Sequence, residues 1–172
     1  MNFHPDPELL VLLLLAIQGV LGGIDTLVNH EWLARLPQRR DARGELGLHS
    51  LREANYAVLF AGLGWFAWHG ALAYLIAALL IAEVLITARD EWIENRIRVL
   101  PQNERVMHVF LTVNLGAIIA LLLPVVLAWS KEPTGLQARG HGVLTWLLSA
   151  LAVAAAFWCV RDFVARRRLR LY

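Results

Sequence analysis

The chain is poor in cysteine, and its single one, Cys159, excludes an intramolecular disulfide and a cluster of thiolate metal ligands. It also lacks nucleotide-binding, hydrolase and nucleic-acid-binding motifs, and it has no alternating strand pattern. Charged residues make up only 17% of the 172 residues, whereas 58% are hydrophobic and the mean hydropathy is +0.54. This balance is too apolar for a soluble domain of this size and indicates a small membrane protein with several spans.

Five apolar segments approach the length that a helix needs to cross a bilayer, which is about 20 residues. They are residues 9–28, 46–69, 71–93, 106–129 and 143–164. Because lipid cannot satisfy backbone polar groups, such segments form helices. We therefore predict an all-α integral membrane bundle of five transmembrane helices in a single domain, residues 1–172. Residues 1–130 would form a four-helix bundle, and residues 131–172 would add a fifth helix and a basic tail.

The distribution of arginines predicts the orientation. Asp6 and Glu8 stand where a secretory signal has basic residues, so we expect the first apolar segment to be retained. Arginines are concentrated between segments one and two, around the junction of three and four, and after segment five. They are Arg35, Arg39, Arg40, Arg43, Arg89, Arg96, Arg98, Arg105, Arg161, Arg166, Arg167, Arg168 and Arg170. By the positive-inside rule we expect the inner (cytoplasmic) cell membrane, with the N-terminus outside and the C-terminus inside.

The first four segments carry the same short motifs twice, in the same order. The first copy has HEW at 30–32, LPQ at 36–38, Glu45 paired with His49, and then Asn55. The second copy has DEW at 90–92, LPQ at 100–102, Glu104 paired with His108, and then Asn114. We predict that the four helices are a duplicated hairpin, related by an axis along the membrane normal.

Ionisable residues cluster at the cytoplasmic end of these four segments. Such groups cost ~2.5–3.5 kcal/mol each within a membrane, so they mark functional sites. Residues four apart share a helix face, and the polar residues of each segment follow this spacing. We predict that they meet in one site and that the metal ligands are Asp25, His49, Glu53, Glu83, Asp90, Glu94, Glu104 and His108. The repeat favours Glu31, Glu45 and Glu91 as second choices.

Carboxylates with two imidazoles suit two divalent metal ions, with iron or manganese favoured and zinc also acceptable. The pattern resembles the di-iron and di-manganese carboxylate four-helix bundles, such as ferritin-like proteins and the membrane-bound alternative oxidases. Those use one Glu from each of two helices and a Glu-x-x-His pair from each of the others, whereas the spacing here is one residue longer. The resemblance implies as counterparts Glu104 with His108, His49 with Glu45 or Glu53, one of Asp90, Glu91 and Glu94, and Asp25 or Glu31.

This resemblance implies an oxidoreductase that activates dioxygen or accepts electrons. Its substrate would be a lipophilic molecule from the bilayer, such as a quinol or an acyl chain, and Tyr56 would supply a proton or an electron. Because the chain is too small to hold a flavin or haem domain, an external donor would deliver the electrons. Membrane lipid is the other expected partner, a homo-oligomer is compatible with the sequence, and no nucleic acid is expected.

The same residues allow other functions. A metal-ion sensor, carrier or transporter would bind metal without catalysis, and a zinc-dependent membrane hydrolase would use the ion to activate water. The acids could also form a structural network of salt bridges, with Arg52 or Arg89 neutralising one carboxylate each, or a proton relay without metal. Metal content and the partners of the acids distinguish these hypotheses.

Overall fold

The computed structural model describes residues 6–169, and most of them are helical. α1 is Pro7–Asp25, and it continues directly as a π-helix over Thr26–Leu33. The later elements are α2 (Arg43–Trp65), β1 (Phe66–His69), α3 (Ala73–Ile97), α4 (Gln102–Trp129), β2 (Gly135–Ala138) and α5 (Val143–Arg168). Short 3₁₀ turns, Leu36–Gln38 and Gly70–Leu72, precede α2 and α3. Within these residues the predicted helical bundle with five helices is confirmed, whereas the crossing of the membrane by all five stays a prediction.

Among residues 6–169, four helical segments are long and apolar enough to cross a membrane: Pro7–Leu33, Gly70–Ile97, Gln102–Trp129 and Val143–Arg168. Large apolar side chains on α1, α3, α4 and α5 are exposed on the outside of the bundle, among them Leu13, Ile81, Phe110 and Val153. A soluble protein seldom exposes so much apolar surface, whereas lipid solvates it. These are the features of a membrane protein.

α2 differs from those four segments, although the sequence predicts a span over residues 46–69. It has 23 residues, and its first half carries Glu45, His49, Arg52 and Glu53. It packs most extensively against α5 and also against α3. Because neighbouring helices cover α2, its polar side chains face protein, and its sequence is correspondingly less hydrophobic.

A two-stranded sheet connects the end of α2 to the loop before α5, and it corrects the purely helical prediction. β1 and β2 are antiparallel, with Phe66 opposite Ala138 and His69 opposite Gly135. The turn after β1 requires Gly70, whose φ is +60°, and a Cβ atom there would collide with Thr134. Strands of four residues are too short for an alternating pattern to identify them from sequence.

The bundle has two apolar cores and a layer of buried polar residues. The larger core draws on all five helices and includes Leu15, Leu59, Ile76, Leu122 and Leu148. The smaller core lies at the end of the bundle that holds the α1–α2 connection, and it consists of Leu36, Ala42, Leu46 and Ala165. Along each helix the buried acids and histidines lie beyond the residues of the larger core, toward the end of the bundle that holds the smaller core.

The π-helix brings a further histidine into this layer. Its hydrogen bonds join residues five apart, so Asp25 and His30 come to the same face. In a regular α-helix, with 3.6 residues per turn, they would point in different directions. Asn29 and His30 are both buried in the structure. π-Helical turns are rare in proteins, but those that occur often lie at functional sites.

Candidate metal centre

Buried histidines and carboxylates from the π-helix, α2, α3 and α4 come together in the polar layer. Two sets of residues each offer ligand atoms within 4.8 Å of one another. The first set is His30, Glu94, Glu104 and His108, and the second is His30, Glu45, His49 and Glu94. Because they share His30 and Glu94, we treat the six residues as one unit, the His–Glu cluster. A cluster of this composition could hold metal.

His30 lies at the centre of the His–Glu cluster. Its ring stacks on that of His49, with centroids 4.4 Å apart and planes inclined by 10°. The ring of His108 meets it edge-on at 6.5 Å. Neither ring nitrogen of His30 makes a hydrogen bond within residues 6–169, and both are buried. Nε2 lies 3.4 Å from a carboxylate oxygen of Asp25 and 3.4 Å from one of Glu104, whereas Nδ1 has no such neighbour among these residues. Imidazole nitrogens beside carboxylates are common metal ligands.

His30 is not among the ligands predicted from the sequence. One feature of the sequence could have identified His30 as a ligand: the alignment of HEW with DEW makes it the counterpart of the predicted ligand Asp90. Regular helical spacing from Asp25 selects Asn29 instead, since residues four apart share a face. Only the π-helix turns His30 inward, and the sequence carries no recognisable signal for it.

Glu94 lies between the other two histidines and is fully buried. Its Oε1 atom is 3.9 Å from Nε2 of His49. Its Oε2 atom is 3.6 Å from Nδ1 of His108. The two oxygens of one carboxylate thus face two different imidazoles.

Arg98 supplies positive charge at one side of the His–Glu cluster. Its Nη2 atom is 2.8 Å from Glu45, 3.3 Å from Glu94 and 2.5 Å from Glu104. Burial alone would lower the pKa of Arg98, but its hydrogen bonds to Glu104 and Glu45 outweigh this effect and raise the pKa above its usual range. Arg98 is therefore a permanent cation, and it shares the charge compensation that we expected from metal ions.

Arg52 compensates two further acids deeper in the bundle. Its Nε atom is 3.3 Å from Glu83, and its Nη1 atom is 2.8 Å from Asp90. Glu83 and Asp90 were predicted as metal ligands, but they lie outside both sets. Arg52 thus plays the role that the salt-bridge hypothesis gave it, whereas Arg89 is exposed.

Asp25 and Asp90 make matching contacts between the two hairpins, each with a histidine of the other hairpin. Oδ2 of Asp90 on α3 is 3.2 Å from Nε2 of His49 on α2. Oδ2 of Asp25 on α1 is 3.5 Å from Nε2 of His108 on α4. Asp25 also lies 3.4 Å from Nε2 of His30, so it adjoins the His–Glu cluster.

Two asparagines make a second pair of matching contacts. The Asn55 amide donates to the carbonyl of Leu79 at 3.1 Å and to Glu83 at 2.9 Å. The Asn114 amide donates to the carbonyl of Leu14 at 3.0 Å and to Gln18 at 2.7 Å. In both cases the two acceptors are four residues apart on the neighbouring helix. By these contacts and those of the two aspartates, Gln18 and Asp25 of the first hairpin are structurally equivalent to Glu83 and Asp90 of the second. The HEW and DEW motifs instead align His30 with Asp90.

Tyr56, the predicted catalytic residue, lies beside the polar layer. Its hydroxyl accepts a hydrogen bond of 3.0 Å from the Gln18 amide. Its ring stacks on Phe60 with centroids 5.4 Å apart. Tyr56 is therefore fixed between polar and apolar surroundings, outside both sets of ligand atoms.

The second-choice acids separate into three environments. Glu45 is fully buried and belongs to the second set. Glu91 lies 2.8 Å from Nδ1 of His108, with 44% of its side chain exposed. Glu31 pairs with Arg161 of α5. Of the three acids that the repeat favours, Glu45 alone lies in a set.

Glu53, a predicted ligand, belongs to neither set. The charges that act on it include Asp162 and Arg161 of α5, which form an ion pair of 2.6 Å. The Oε2 atom of Glu53 is buried without a hydrogen-bond partner among the described residues.

A cavity of about 190 Å³ borders the His–Glu cluster. Its polar wall includes His30, His49, Arg52 and Glu53. Its apolar wall includes Phe60, Leu115, Leu151 and Trp158, and α1 contributes Gly22 and Gly23. The cavity therefore connects the polar layer with the apolar interior of the bundle.

No family model, curated protein or solved structure matches this chain. A relationship to the ferritin-like proteins or the alternative oxidases thus has no support from known proteins. The chain shares only general features with those proteins: it is a helical bundle with a buried cluster of carboxylates and histidines that could bind metal.

Proposed function

We propose that this is an integral membrane metalloprotein whose His–Glu cluster holds two divalent metal ions. The observation that carries the proposal is the position of Glu94, with one oxygen toward His49 and the other toward His108. A carboxylate that bridges two ions has this arrangement, and ions in dinuclear sites lie ~3.5–4 Å apart.

Each of the two sets of ligand atoms would hold one of the two ions. Glu45 and His49 serve one ion, and Glu104 and His108 serve the other. His30 belongs to both sets and completes one of the two shells. Arg98 contacts Glu45 and Glu104 and orients these carboxylates, as residues around metal ligands commonly do.

The charge balance supports two ions. Among the described residues, seven acids are buried: Asp25, Glu45, Glu83, Asp90, Glu94, Glu104 and Asp162. Three guanidinium groups, those of Arg52, Arg98 and Arg161, contact six of them. With the histidines neutral, as metal ligands are, seven negative charges less three positive charges leave an excess of four, which equals the charge of two divalent ions. Carboxylates with imidazoles favour iron or manganese, and zinc also fits.

We further propose that the centre is redox-active and acts on a lipophilic substrate. The cavity beside it supports this function, because it joins the polar layer to an apolar wall. Redox-active ions would exchange electrons with the substrate. Tyr56 lines the cavity. It would pass a proton or an electron, and an external donor or acceptor would complete the turnover.

The membrane arrangement belongs to the same proposal. All five helices cross the bilayer, with α2 covered by its neighbours, and the arginine-rich connections lie on the cytoplasmic side. The matching contacts of Asn55 and Asn114, and those of His49 and His108, support an origin of the first four helices in a duplicated hairpin.

Elemental analysis of the purified protein tests the metal site. We expect about two metal equivalents per chain, and a loss of metal in His49→Ala and in His108→Ala. His141→Ala is the matched control, since His141 precedes α5 at the end of the bundle that holds the strands. Equal, substoichiometric metal in all four proteins would contradict the proposal and leave the arginine network alone. Tightly bound zinc without redox change would favour the hydrolase hypothesis.

A further inference from the structure

The cavity beside the His–Glu cluster has a polar end and an apolar end, and it lies between helices that face lipid. We propose that it binds the head group of a membrane amphiphile, a single six-membered ring that bears hydroxyl groups, as in a quinol or an alkylphenol. This inference deepens the proposed function by naming its substrate class, but it is tested on metal-free protein, so the two proposals fail separately.

The volume of the cavity limits the size of the head group that it can hold. At about 190 Å³ the cavity is slightly larger than one of ~150 Å³ that accepts benzene in an engineered protein. One substituted ring therefore fits, while a larger fused ring system does not. The alkyl chain of the ligand must then lie outside the cavity.

α1 provides an opening for that chain. A Cβ atom at Gly22 or at Gly23 would meet no atom of the described residues within 4 Å, so there is open space beside both glycines. One turn earlier the helix is closed, since a Cβ atom at Gly19 would lie 2.8 Å from Leu151 and 3.0 Å from Phe60. The ligand tail therefore leaves the cavity past Gly22 and Gly23, where α1 borders the bilayer.

The walls suit a hydroxylated ring more than a saturated chain. Aromatic side chains, which prefer offset-stacked or edge-to-face partners, line the cavity at Tyr56, Phe60 and Trp158. Glu53 lines the polar end of the cavity, and its Oε2 atom is buried without a hydrogen-bond partner among the described residues. A ligand hydroxyl that donates to this carboxyl removes the cost of the unpaired acceptor. Glu53 thus serves ligand recognition and lies outside the sets that hold metal.

Binding of a decyl-substituted 1,4-benzoquinol to the metal-free, full-length protein in detergent tests this inference. Titration calorimetry under argon gives the dissociation constant. Gly22→Leu fills the opening, and Ala155→Phe fills the cavity from α5. We expect each to weaken binding at least about tenfold. Gly116→Leu is the matched control, because a Cβ atom at Gly116 also meets nothing within 4 Å but the residue lies outside the cavity.

A second set of binding measurements tests the hydrogen-bond acceptor Glu53 and the ring of the ligand. Glu53→Leu should weaken binding of the quinol by about tenfold or more, as expected when a buried hydrogen bond is lost. Decanoic acid and decanol carry a similar tail without the ring, and we expect them to bind at least tenfold more weakly than the quinol. Equal binding of these chains and the quinol would overturn the assignment of a ring. Equal binding to Gly22→Leu, Ala155→Phe and Gly116→Leu would overturn the assignment of the cavity.

Discussion

His30 and His49 stack with their ring centroids 4.4 Å apart, although one comes from the π-helix and the other from α2. This contact places His30 between the two halves of the His–Glu cluster. Removing His30 should therefore weaken metal binding more than removing a histidine outside the His–Glu cluster, such as His69.

The first prediction concerns His30→Ala. We expect its affinity for the metal to fall at least about 100-fold, since even residues behind the ligands contribute 10–100-fold. Competition with a chelator of known affinity measures the change. His69→Ala is the control, because His69 lies in β1. If both variants retained the affinity of the unaltered protein, His30 would not be a ligand.

The second prediction concerns Arg98→Gln. This change leaves Glu45, Glu94 and Glu104 buried without their shared cation, and breaking such a pair costs ~3–5 kcal/mol. We expect a loss of this size in the free energy of unfolding of metal-free protein, measured in mixed micelles. Bound metal should recover part of the loss, because the ions neutralise the same carboxylates.

Arg105→Gln is the matched control for Arg98→Gln, since Arg105 is exposed near the same connection between α3 and α4. Exposed substitutions usually change stability by less than ~0.5 kcal/mol. A similar, small effect of both variants would mean that Arg98 does not compensate the buried acids.

The third prediction concerns the matching asparagines. Asn55→Ala and Asn114→Ala each remove an amide that links two helices. We expect each to lower the free energy of unfolding by ~0.5–2 kcal/mol, the range of hydrogen bonds between membrane helices. Asn95→Ala should have less effect, since Asn95 is bonded within its own helix to Glu91. Unequal effects, with one asparagine behaving like Asn95, would argue against equivalent hairpins.

The fourth prediction concerns sidedness. In a Cys159→Ala background, Asp41→Cys lies in the α1–α2 connection and Glu132→Cys lies in the α4–α5 connection. By the positive-inside rule, a membrane-impermeant maleimide applied to intact cells should label residue 132 and leave residue 41 unlabelled. The reverse labelling pattern would invert the proposed orientation, and labelling of both positions would contradict five crossings.

Hydrophobic run length and residue spacing predicted much of the fold. The helices follow because each apolar run is long enough to span lipid. The meeting of His49, Glu94 and His108 follows because each lies on the polar face of its own helix, at the same end of the bundle. The β1–β2 pair could not be predicted, since four residues in each strand give no readable period. The α2 boundaries also shifted, because residues 66–69 form β1 and not the end of a span.

The partners of the acids were harder to predict than their location. Helix faces place Glu83 and Asp90 near the polar layer, but they do not reveal that Arg52 reaches both. Arg98 follows α3 and would be assigned to the membrane surface from its position alone, yet it folds back onto three acids. The partners of a long arginine side chain depend on the tertiary packing of the helices. The spacing of residues along one helix does not reveal this packing.

The most direct test of the account is anomalous X-ray scattering from crystals of protein loaded with manganese or iron. The account predicts two peaks, ~3.5–4 Å apart, on either side of Glu94 and within ligand reach of His49 and His108. Crystals that show no anomalous peak in the His–Glu cluster, with Glu45, Glu94 and Glu104 still paired to Arg98, would contradict it.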